Sequence, residues 1–471
     1  MTVGSRNSTG GRSPRVAVIG AGVSGLTAAF RLRQRLGVDA AIDVYDSADR
    51  PGGLLCTREV GGVSMDVGAE AFIVRRPEAR DLVDELGLTA HVVSPGGLRP
   101  AIWSGDGLHP LPAPALMGIP LGPEPMADLA SPADLDRMAA EADVPLAWAP
   151  GADPSVGDLV GDRFGRSVVA RGVDPMLGGV YSTLADHLGL REAIPALARA
   201  LDDGAPSLTA AVRHVLDAGA SATGPVFGAL RGGYRELVDA LVAAGGARLH
   251  LGAAVTGLAH GPDGFTLLIE ASGQPRPIDY DGVVVAVPVW TAAELLGDVA
   301  PETAAVLADV QPAGSAVVAF AVPESTPLPE HSGVLVATDA DLAIKAVTLS
   351  TQKWPHLRGG PVRTLRASFG RLGDPVIRTD EQLVAAAVSD LAIVFSAAGL
   401  PAPEVADAVV QRWPAGLPHY PPGHLARMRT ALAMLPDGIG VAGSGYNGVG
   451  VPACIGTADA AVGKVTAALP T

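Results

Sequence analysis

A short strand, a glycine-rich turn and a helix follow one another near the start of the chain, and this order constrains the fold more than any other feature. Residues 15–19 are largely apolar and β-branched, and directly after them come Gly20, Ala21, Gly22, Val23, Ser24 and Gly25. Apolar residues then recur at helical spacing. In such a turn the first glycine permits a tight bend, the second lets backbone N–H groups approach a pyrophosphate, and the third lets the helix pack on the strand. The segment therefore predicts a parallel α/β domain that binds a dinucleotide at a helix N-terminus.

A carboxylate at the expected distance completes this unit. Residues 40–45 form a second predicted strand that leads into Asp46, which lies 21 residues beyond Gly25. A spacing of about 20 residues is typical of the acid that binds the ribose hydroxyls. We predict that Asp46 and the adjacent Ser47 contact the cofactor.

Two further segments resemble the amine oxidase and phytoene desaturase superfamily of flavoproteins. Residues 49–54 place an arginine before a Gly-Gly pair, and residues 65–72 resemble the superfamily's next segment, which passes near the flavin ring. The resemblance implies FAD as the cofactor, contacted by Arg50, Gly53, Leu54, Gly68, Ala69, Glu70 and Ala71. For residues 49–54 taken alone, a plain surface turn is the alternative interpretation.

A second glycine motif lies near the end of the chain. Residues 439–442 form a predicted strand, and Gly443, Gly445 and Gly448 repeat the dinucleotide spacing. Only 23 residues remain after Gly448, too few for a second strand and acid. We interpret this region as a strand, turn and helix that return to the first domain and close over the flavin, with Pro452 in the first helical turn.

The same region is similar to the protoporphyrinogen/coproporphyrinogen oxidase family. The similarity rests on residues 417–424 (Leu-Pro-His-Tyr-Pro-Pro-Gly-His) and 443–455, with support from Arg99, Trp103 and residues 109–112, 174–181 and 228–233. It extends over essentially the whole chain from Arg15 and is closest to the soluble actinobacterial, coproporphyrinogen-specific branch. Glu70 departs from it, because other branches can place a basic or different polar residue there. The resemblance implies non-covalent FAD with further contacts from Val255, Trp413, Val449, Gly450 and Val451.

The family reaction removes three pairs of hydrogens from a porphyrinogen. A hydride would leave a meso carbon for flavin N5, and O₂ would reoxidise the flavin to give hydrogen peroxide. The sequence has no evident acid/base constellation and no metal motif, so no catalytic side chain and no metal are assigned, which suits a reaction whose chemistry the cofactor supplies. The resemblance implies conversion of coproporphyrinogen III to coproporphyrin III in haem biosynthesis, with a ferrochelatase as the expected recipient. The alternatives are a protoporphyrinogen IX oxidase, another flavin amine or carotenoid oxidoreductase, and a non-catalytic flavin-binding protein.

The substrate implied by the resemblance is flat and apolar with carboxylate arms, which predicts an apolar pocket with arginines at its rim. Arg99 is the first choice for a propionate partner, and Arg75 and Arg76 come next; each can equally be a solvated surface arginine. The formal net charge of −15 argues against a nucleic-acid partner and against anionic lipid. The chain contains no apolar run of about 20 residues, and its two cysteines favour a reducing compartment, the cytoplasm. We attribute the presence of only three lysines to genome composition.

These segments predict a mixed α/β and α+β architecture with a discontinuous, Rossmann-like FAD-binding domain. The predicted parts are a disordered leader (1–14), the FAD-binding domain (15–97, 225–288 and 413–471), a mostly helical domain (98–224) and a sheet-based substrate domain (289–412). Within them we predict strands at 317–322, 333–337, 344–349 and 362–369 and a helix at 380–397. We predict that residues 177–181 form a glycine-containing turn.

Overall fold

The computed structural model describes residues 12–219, 224–271 and 273–469. The predicted disordered leader lies outside the described residues as far as residue 11. In chain order the strands are β1 Arg15–Ile19, β2 Ala41–Asp46, β3 Thr57–Val60, β4 Val63–Asp66, β5 Phe72–Ile73, β6 Val92–Val93, β7 Ala101–Ser104, β8 Gly107–Pro110, β9 Ala115–Leu116, β10 Ile119–Pro120, β11 Phe227–Leu230, β12 Arg248–Leu251, β13 Ala254–Gly261, β14 Gly264–Ala271, β15 Gln274–Tyr280, β16 Gly282–Val285, β17 Pro312–Pro323, β18 Gly333–Val336, β19 Ala346–Thr348, β20 Val362–Phe369, β21 Asp407–Pro418 and β22 Ile439–Val441.

The α-helices separate these strands and cluster most densely between residues 132 and 219. In chain order they are α1 Val23–Leu36, α2 Pro77–Glu85, α3 Pro132–Ala139, α4 Val156–Phe164, α5 Arg166–Val168, α6 Asp174–Tyr181, α7 Leu190–Ala193, α8 Pro195–Asp202, α9 Leu208–Gly219, α10 Arg235–Gly245, α11 Val289–Leu296, α12 Pro301–Ala308, α13 Ser350–Lys353, α14 Asp380–Ala397, α15 His424–Ala433 and α16 Val451–Ala468. Within the described ranges, none of the helices is both long and apolar enough to cross a membrane.

The first sheet is parallel and has the order β12-β2-β1-β16-β22. Alternate side chains of β1 point to opposite faces: Val16 and Val18 pack against α1, α10 and α16, whereas Ala17 and Ile19 pack against β14 and α11. The prediction that residues 439–442 return to the first domain is confirmed, because β22 pairs with β16. The start and the end of the chain therefore build one sheet.

The second sheet has seven strands in the order β21-β17-β20-β19-β18-β7-β8, and α14 covers one of its faces. The four strands predicted between residues 317 and 369 and the helix at 380–397 are confirmed. A capping box fixes the start of α14, since Thr379 accepts from the Gln382 N–H and the Gln382 side chain accepts from the Thr379 N–H.

The domain boundaries stay predictions, but two parts of this sheet cross them. The strands β7 and β8 come from the region predicted to be mostly helical, where four-residue strands are too short to give a clear periodic pattern. The strand β21 continues across the predicted boundary at residues 412 and 413.

The prediction of a turn at residues 177–181 is wrong, because these residues form the end of α6. Pro175 lies in the first turn of this helix, where proline is well tolerated, and Leu177 is completely buried in the helical core. Tertiary packing of this kind outweighs the cost of two glycines, which is about 1 kcal/mol each in a helix. The helix ends at Ser182, which has a φ of +50°.

Candidate functional site

The glycine turn after β1 leaves an open space in front of α1. Gly20 has a φ of +106°, and a Cβ on Gly25 would lie 1.8 Å from the Gly20 carbonyl oxygen, so both positions require glycine. A Cβ on Gly22 would meet nothing within 4 Å. Gly22 is the N-cap of α1, and no described side chain caps this helix. Its first N–H groups are therefore available to an anion, which fits the pyrophosphate of a dinucleotide.

Asp46 lies at the end of β2 and is held against this turn. Its Oδ2 accepts a hydrogen bond from the Ala21 N–H at 2.6 Å, and its Oδ1 accepts one from the Ala48 N–H at 2.8 Å. Each carboxylate oxygen has a second lone pair that a ribose hydroxyl can use. The Ala253 N–H donates to the Asp46 carbonyl at 2.9 Å, so the start of β13, with Val255, lies beside the same end of β2. Ser47 follows Asp46 and is exposed.

The segment with the Gly-Gly pair packs directly on the turn. The Gly52 N–H donates to the Ala21 carbonyl at 2.8 Å, and a Cβ on Gly53 would lie 3.2 Å from Gly22 Cα. Arg50 donates to the Gly53 carbonyl at 2.7 Å and thereby braces its own loop. Its predicted contact with the cofactor stays a prediction.

A second helix N-terminus lies at the same edge of the first sheet. The helices α1 and α16 follow the parallel strands β1 and β22, so both begin at the carboxyl edge, where ligands bind in such sheets. Gly450 is the N-cap of α16 and, like Gly22, has no side chain that could accept a hydrogen bond from the first N–H groups of its helix. The preceding loop is held by Tyr420, whose hydroxyl donates to the Ser444 carbonyl at 2.6 Å and accepts from the Gly448 N–H at 2.8 Å. Val449 and Val451 flank Gly450 and complete the predicted set.

Residues 66–71, here called segment 66–71, lie between the two sheets. Trp413 Nε1 donates to the Val67 carbonyl at 3.0 Å, and an Arg366 Nη donates to the Gly68 carbonyl at 3.0 Å. A Cβ on Gly68 would lie 1.9 Å from the Leu54 carbonyl oxygen. Segment 66–71 is therefore in contact with the Gly-Gly loop on one side and with β20 and β21 on the other.

Glu70 of this segment forms a largely buried ion pair with Lys353, which lies in α13. Lys353 Nζ lies 2.7 Å from one Glu70 carboxylate oxygen, and Trp354 Nε1 donates to the other at 3.0 Å. Burial alone would raise the pKa of Glu70, but the charges of Lys353 and Arg366 outweigh it and lower this pKa to about 2. Glu70 is therefore an anion at neutral pH and carries no proton to transfer. Ala69 and Ala71, on either side, are half-buried.

A small polar cavity lies behind segment 66–71, lined among others by Asp66, Ser350, His356 and Arg366. Burial raises the pKa of Asp66 to about 6, although Thr57 Oγ1 donates to it at 2.6 Å. Within the described residues, Arg366 Nε and Nη1, Ser350 Oγ and His356 Nδ1 find no hydrogen-bond partner. The cavity can therefore hold water or a small polar group close to the cofactor-binding segment.

The face of the seven-stranded sheet that does not contact α14 is partly open. One row of cross-strand neighbours runs over five strands and is here called the open face: Leu335, Ala346, Ser368, Val317 and Gln411. All except Val317 are half-buried. Arg366 lies in the adjacent row opposite Thr348, so the open face begins where segment 66–71 ends.

The end of α6 borders the half-buried open face, and the space over this face is here called the cleft. Lys345 Nζ donates to Ser182 Oγ at 2.8 Å, which ties the sheet to the C-terminal end of α6. The Tyr181 ring lies 6.3 Å from the ring of Tyr420, which in turn holds the loop before α16. Gly179 and Val180 are exposed, Val180 to 44%. The cleft is thus bounded by the open face, α6 and the loop before α16.

The three arginines predicted to bind propionates differ in their surroundings. Arg99 precedes β7 and is exposed, and its guanidinium makes no hydrogen bond to a described residue. Arg75 is exposed and donates to the Gly224 carbonyl at 2.6 Å. Arg76 is exposed and forms two hydrogen bonds with the Glu78 carboxylate, at 3.1 and 2.6 Å. Their roles stay predictions, and Arg99 is the one whose donors are least engaged.

Several residues of this site were not predicted from the sequence. Lys345 directly precedes β19, Arg366 lies in β20 and Lys353 ends α13, and no motif marks any of them. The available signal was the scarcity of lysine, which we attributed to composition. Two of the three lysines in the chain, Lys345 and Lys353, lie in or beside this cleft.

The fold and the site define a flavoprotein, and the chain belongs to the flavin-containing amine oxidoreductase family, whose model matches residues 23–466. Since a flavin and a dinucleotide site occur together, the cofactor is FAD, and the two uncapped helices and the open space at Gly22 fit it.

Two named relatives and one solved structure are similar to this chain over nearly its full length. Over 455 residues the chain is 48% identical to the coproporphyrinogen III oxidase of Mycobacterium tuberculosis, covering 96% of this chain and 97% of the relative. It is 28% identical to the coproporphyrinogen III oxidase of Bacillus subtilis, covering 95% and 97%. A solved structure from Exiguobacterium, a provisionally assigned protoporphyrinogen oxidase, superposes with a TM-score of 0.84 at 26% identity and covers 96% of this chain and 98% of its own.

Proposed function

We propose that this protein is a coproporphyrinogen III oxidase that uses FAD. The observation that carries the proposal is the 48% identity to a protein of that name over nearly the full length of both chains. The cleft supports the proposal, because the open face that forms its floor is lined mainly by small and apolar side chains. Four strand spacings of about 4.8 Å make the open face about 19 Å wide, which suits a flat tetrapyrrole.

Bound FAD supplies a two-electron acceptor for the substrate. The chain's own part is to hold the two reactants: Gly22 and Gly450 present uncapped helix N-termini to the cofactor, and Asp46 lies at the ribose position. The open face orients the porphyrinogen ring against segment 66–71. Glu70 stays ionised through its pair with Lys353, so its role is to position this segment.

The overall reaction removes three pairs of hydrogens from coproporphyrinogen III and yields coproporphyrin III. We propose O₂ as the acceptor, so that three O₂ molecules are reduced to three molecules of hydrogen peroxide. We also propose that the enzyme works in the cytoplasm and passes its product to a ferrochelatase. Cell fractionation and co-purification with that enzyme test these two points.

The decisive experiment uses the purified holoenzyme in detergent-free buffer. Coproporphyrinogen III should bleach the flavin absorbance without oxygen, and admission of air should restore it with formation of fluorescent coproporphyrin III and hydrogen peroxide. Failure of the flavin to bleach with any porphyrinogen would reject the proposal.

Protoporphyrinogen IX is the second candidate substrate, because the Exiguobacterium structure carries that assignment. It has two propionates and two vinyl groups where coproporphyrinogen III has four propionates. We expect kcat/KM to favour coproporphyrinogen III. A clear preference for protoporphyrinogen IX would leave the flavin chemistry intact and change the substrate.

A further inference from the structure

Two cationic side chains lie together where the second sheet meets the end of α6. Lys345 directly precedes β19, and its Nζ donates to Ser182 Oγ and to the Gly370 carbonyl, both at 2.8 Å. An ammonium group has three N–H donors, so one donor remains. No carboxylate in the described part of the chain forms an ion pair with Lys345.

The second cation is Arg371, in the turn that follows β20. Its Nε is buried and, among the described residues, makes no hydrogen bond. The Leu372 N–H donates to the Ser182 carbonyl at 2.7 Å, and a Cβ on Gly178 would lie 3.8 Å from Arg371 Nε. Arg371 is therefore packed against α6 beside the residue that Lys345 contacts.

The charges of this pair are poorly compensated. Burial and the charge of Arg371 lower the pKa of Lys345 to about 7, against a smaller opposing influence of Asp374. Burial likewise lowers the pKa of Arg371, although Asp174 and Asp374 lie near enough to oppose the shift. Two half-buried like charges without an ion-pair partner cost free energy, and an anion bound between them would offset that cost.

Both side chains lie beside the open face. Each is half-buried, so each retains accessible surface. The Lys345 N–H donates to the Ser368 carbonyl at 2.8 Å, and Ser368 belongs to the open face. From Arg366, along the end of β20 to Gly370, the chain advances four residues, or about 13 Å. Arg366 contacts segment 66–71, so the pair lies at the other end of the open face from that segment. The separation is about the width of a tetrapyrrole ring.

We propose that Lys345 and Arg371 bind a carboxylate of the substrate at this end of the cleft. This proposal rests on the proposed function and deepens it, because it places one propionate of the porphyrinogen on the wall between the second sheet and α6. The site differs from the rim arginines Arg75, Arg76 and Arg99. It also discriminates between substrates, since a vinyl group in this position could accept no hydrogen bond and would leave both cations unpaired.

The test measures binding of the fluorescent product to the holoenzyme and needs no turnover. Lys345→Met and Arg371→Gln should each weaken the binding of coproporphyrin III by about ten- to hundredfold, because a charge-assisted hydrogen bond is lost. Binding of its tetramethyl ester, which has the same ring without charge, should change less than twofold. Lys345→Arg should retain most of the affinity, which a purely structural role of Lys345 would not predict.

Lys464→Met is the matched control. Lys464 also donates to a backbone carbonyl, that of Leu435, and burial also lowers its pKa, but it lies on α16 away from the cleft. Arg371 is half-buried in the turn after β20, and Arg371→Gln keeps the test open if Lys345→Met does not fold. FAD content is measured for every variant as a check of folding.

Failure of the carboxylate site and failure of the proposed function give different experimental results. If the wild-type holoenzyme oxidises coproporphyrinogen III but both variants bind coproporphyrin III within twofold of wild type, the carboxylate site is wrong and the proposed function stands. If the variants weaken the binding of coproporphyrin III and of its tetramethyl ester equally, the pair has a structural role. That result also overturns the carboxylate site. If the wild type oxidises no porphyrinogen, the proposed function itself fails.

Discussion

Lys353 Nζ lies 2.7 Å from a carboxylate oxygen of Glu70, and this ion pair joins α13 of the second sheet to segment 66–71. The adjacent Trp354 also contacts Glu70, because its Nε1 donates to the other carboxylate oxygen. The resemblance described above gives Glu70 as a departure from the family pattern. In the structure the Glu70 charge has both a counter-ion, Lys353, and a hydrogen-bond donor, Trp354.

Glu70→Gln should destabilise the protein by about 1–3 kcal/mol, because it leaves the largely buried Lys353 without a counter-ion. Folding holds the pKa of Glu70 well below its usual value, so its stabilising contribution is present above the pKa of the unfolded chain. It should disappear as the pH falls towards 2. Denaturant unfolding from pH 3 to 8 measures both effects. The double variant Glu70→Gln/Lys353→Met should recover part of the loss.

The control for this ion pair is Asp380→Asn, which breaks the exposed pair between Asp380 and Arg412 and should cost less than about 0.5 kcal/mol. An equal loss in Glu70→Gln and Asp380→Asn would contradict the assignment of a buried pair.

Asp66→Asn should have the opposite effect on stability. Burial raises the pKa of Asp66 to about 6, so its contribution to stability is lost as the pH rises through that value. An asparagine can still accept from Thr57 and from the Tyr234 N–H without carrying a charge. We expect the variant to be more stable than wild type by about 1–3 kcal/mol at pH 8 and to lose this advantage near pH 4. A difference that does not change with pH would show that Asp66 has an ordinary pKa.

Asp46 should affect both the cofactor and the turn that holds it. Asp46→Ala removes acceptors for the Ala21 and Ala48 N–H groups, so the apo-protein should lose about 1–3 kcal/mol. Asp46→Asn keeps one acceptor oxygen and should retain more of that stability. Both variants should bind FAD about ten- to hundredfold more weakly, as measured by titration of apo-protein. The exposed Asp49→Ala is the control, and full FAD affinity in Asp46→Asn would make Asp46 a structural residue only.

Cys454 should not be linked to the flavin. It is buried, and burial raises its pKa to about 11, so at neutral pH it is a thiol and a poor nucleophile. Acid precipitation should therefore release yellow flavin into the supernatant, and Cys454→Ala should retain a full complement of FAD. Flavin that stays in the pellet of the wild type but not of Cys454→Ala would refute this.

The cofactor half of the site was largely predictable because its signals are local. Gly20 and Gly25 are required by contacts within a few residues or with the adjoining strand, and Asp46 follows at a fixed spacing. The half of the site that we propose to bind the substrate was not predictable in the same way. Lys345 Nζ donates to Ser182, which lies 163 residues away in the sequence. Arg371 packs beside Ser182 from the turn that follows β20. Such contacts depend on how a sheet and a helix pack against each other. Residue types and their spacing along the chain do not predict this packing.

The helix at residues 174–181 shows the same limit on a smaller scale. Two glycines in eight residues favour a turn by local preference. The buried Leu177 and the proline in the first helical turn decide otherwise, because they are supported by the helical core. Because these residues were predicted to form a turn, the helix that borders the cleft was not expected. The contact between Ser182 and Lys345 was not expected either.

Arg99 should contribute to substrate capture more than Arg76. The Arg99 guanidinium is exposed and makes no hydrogen bond to a described residue, whereas the Arg76 guanidinium is already paired with Glu78. A protein with a net charge of −15 must attract an anionic substrate through locally positive groups. Arg99→Gln should therefore raise KM for coproporphyrinogen III about three- to tenfold with little change in kcat, and Arg76→Gln should change KM less than twofold. Because salt screens exposed charges, the difference between wild type and Arg99→Gln should shrink at 0.5 M NaCl, where the Debye length is only about 4 Å. A KM for Arg99→Gln equal to that of wild type at low salt would remove Arg99 from the substrate site and leave carboxylate binding to groups deeper in the cleft.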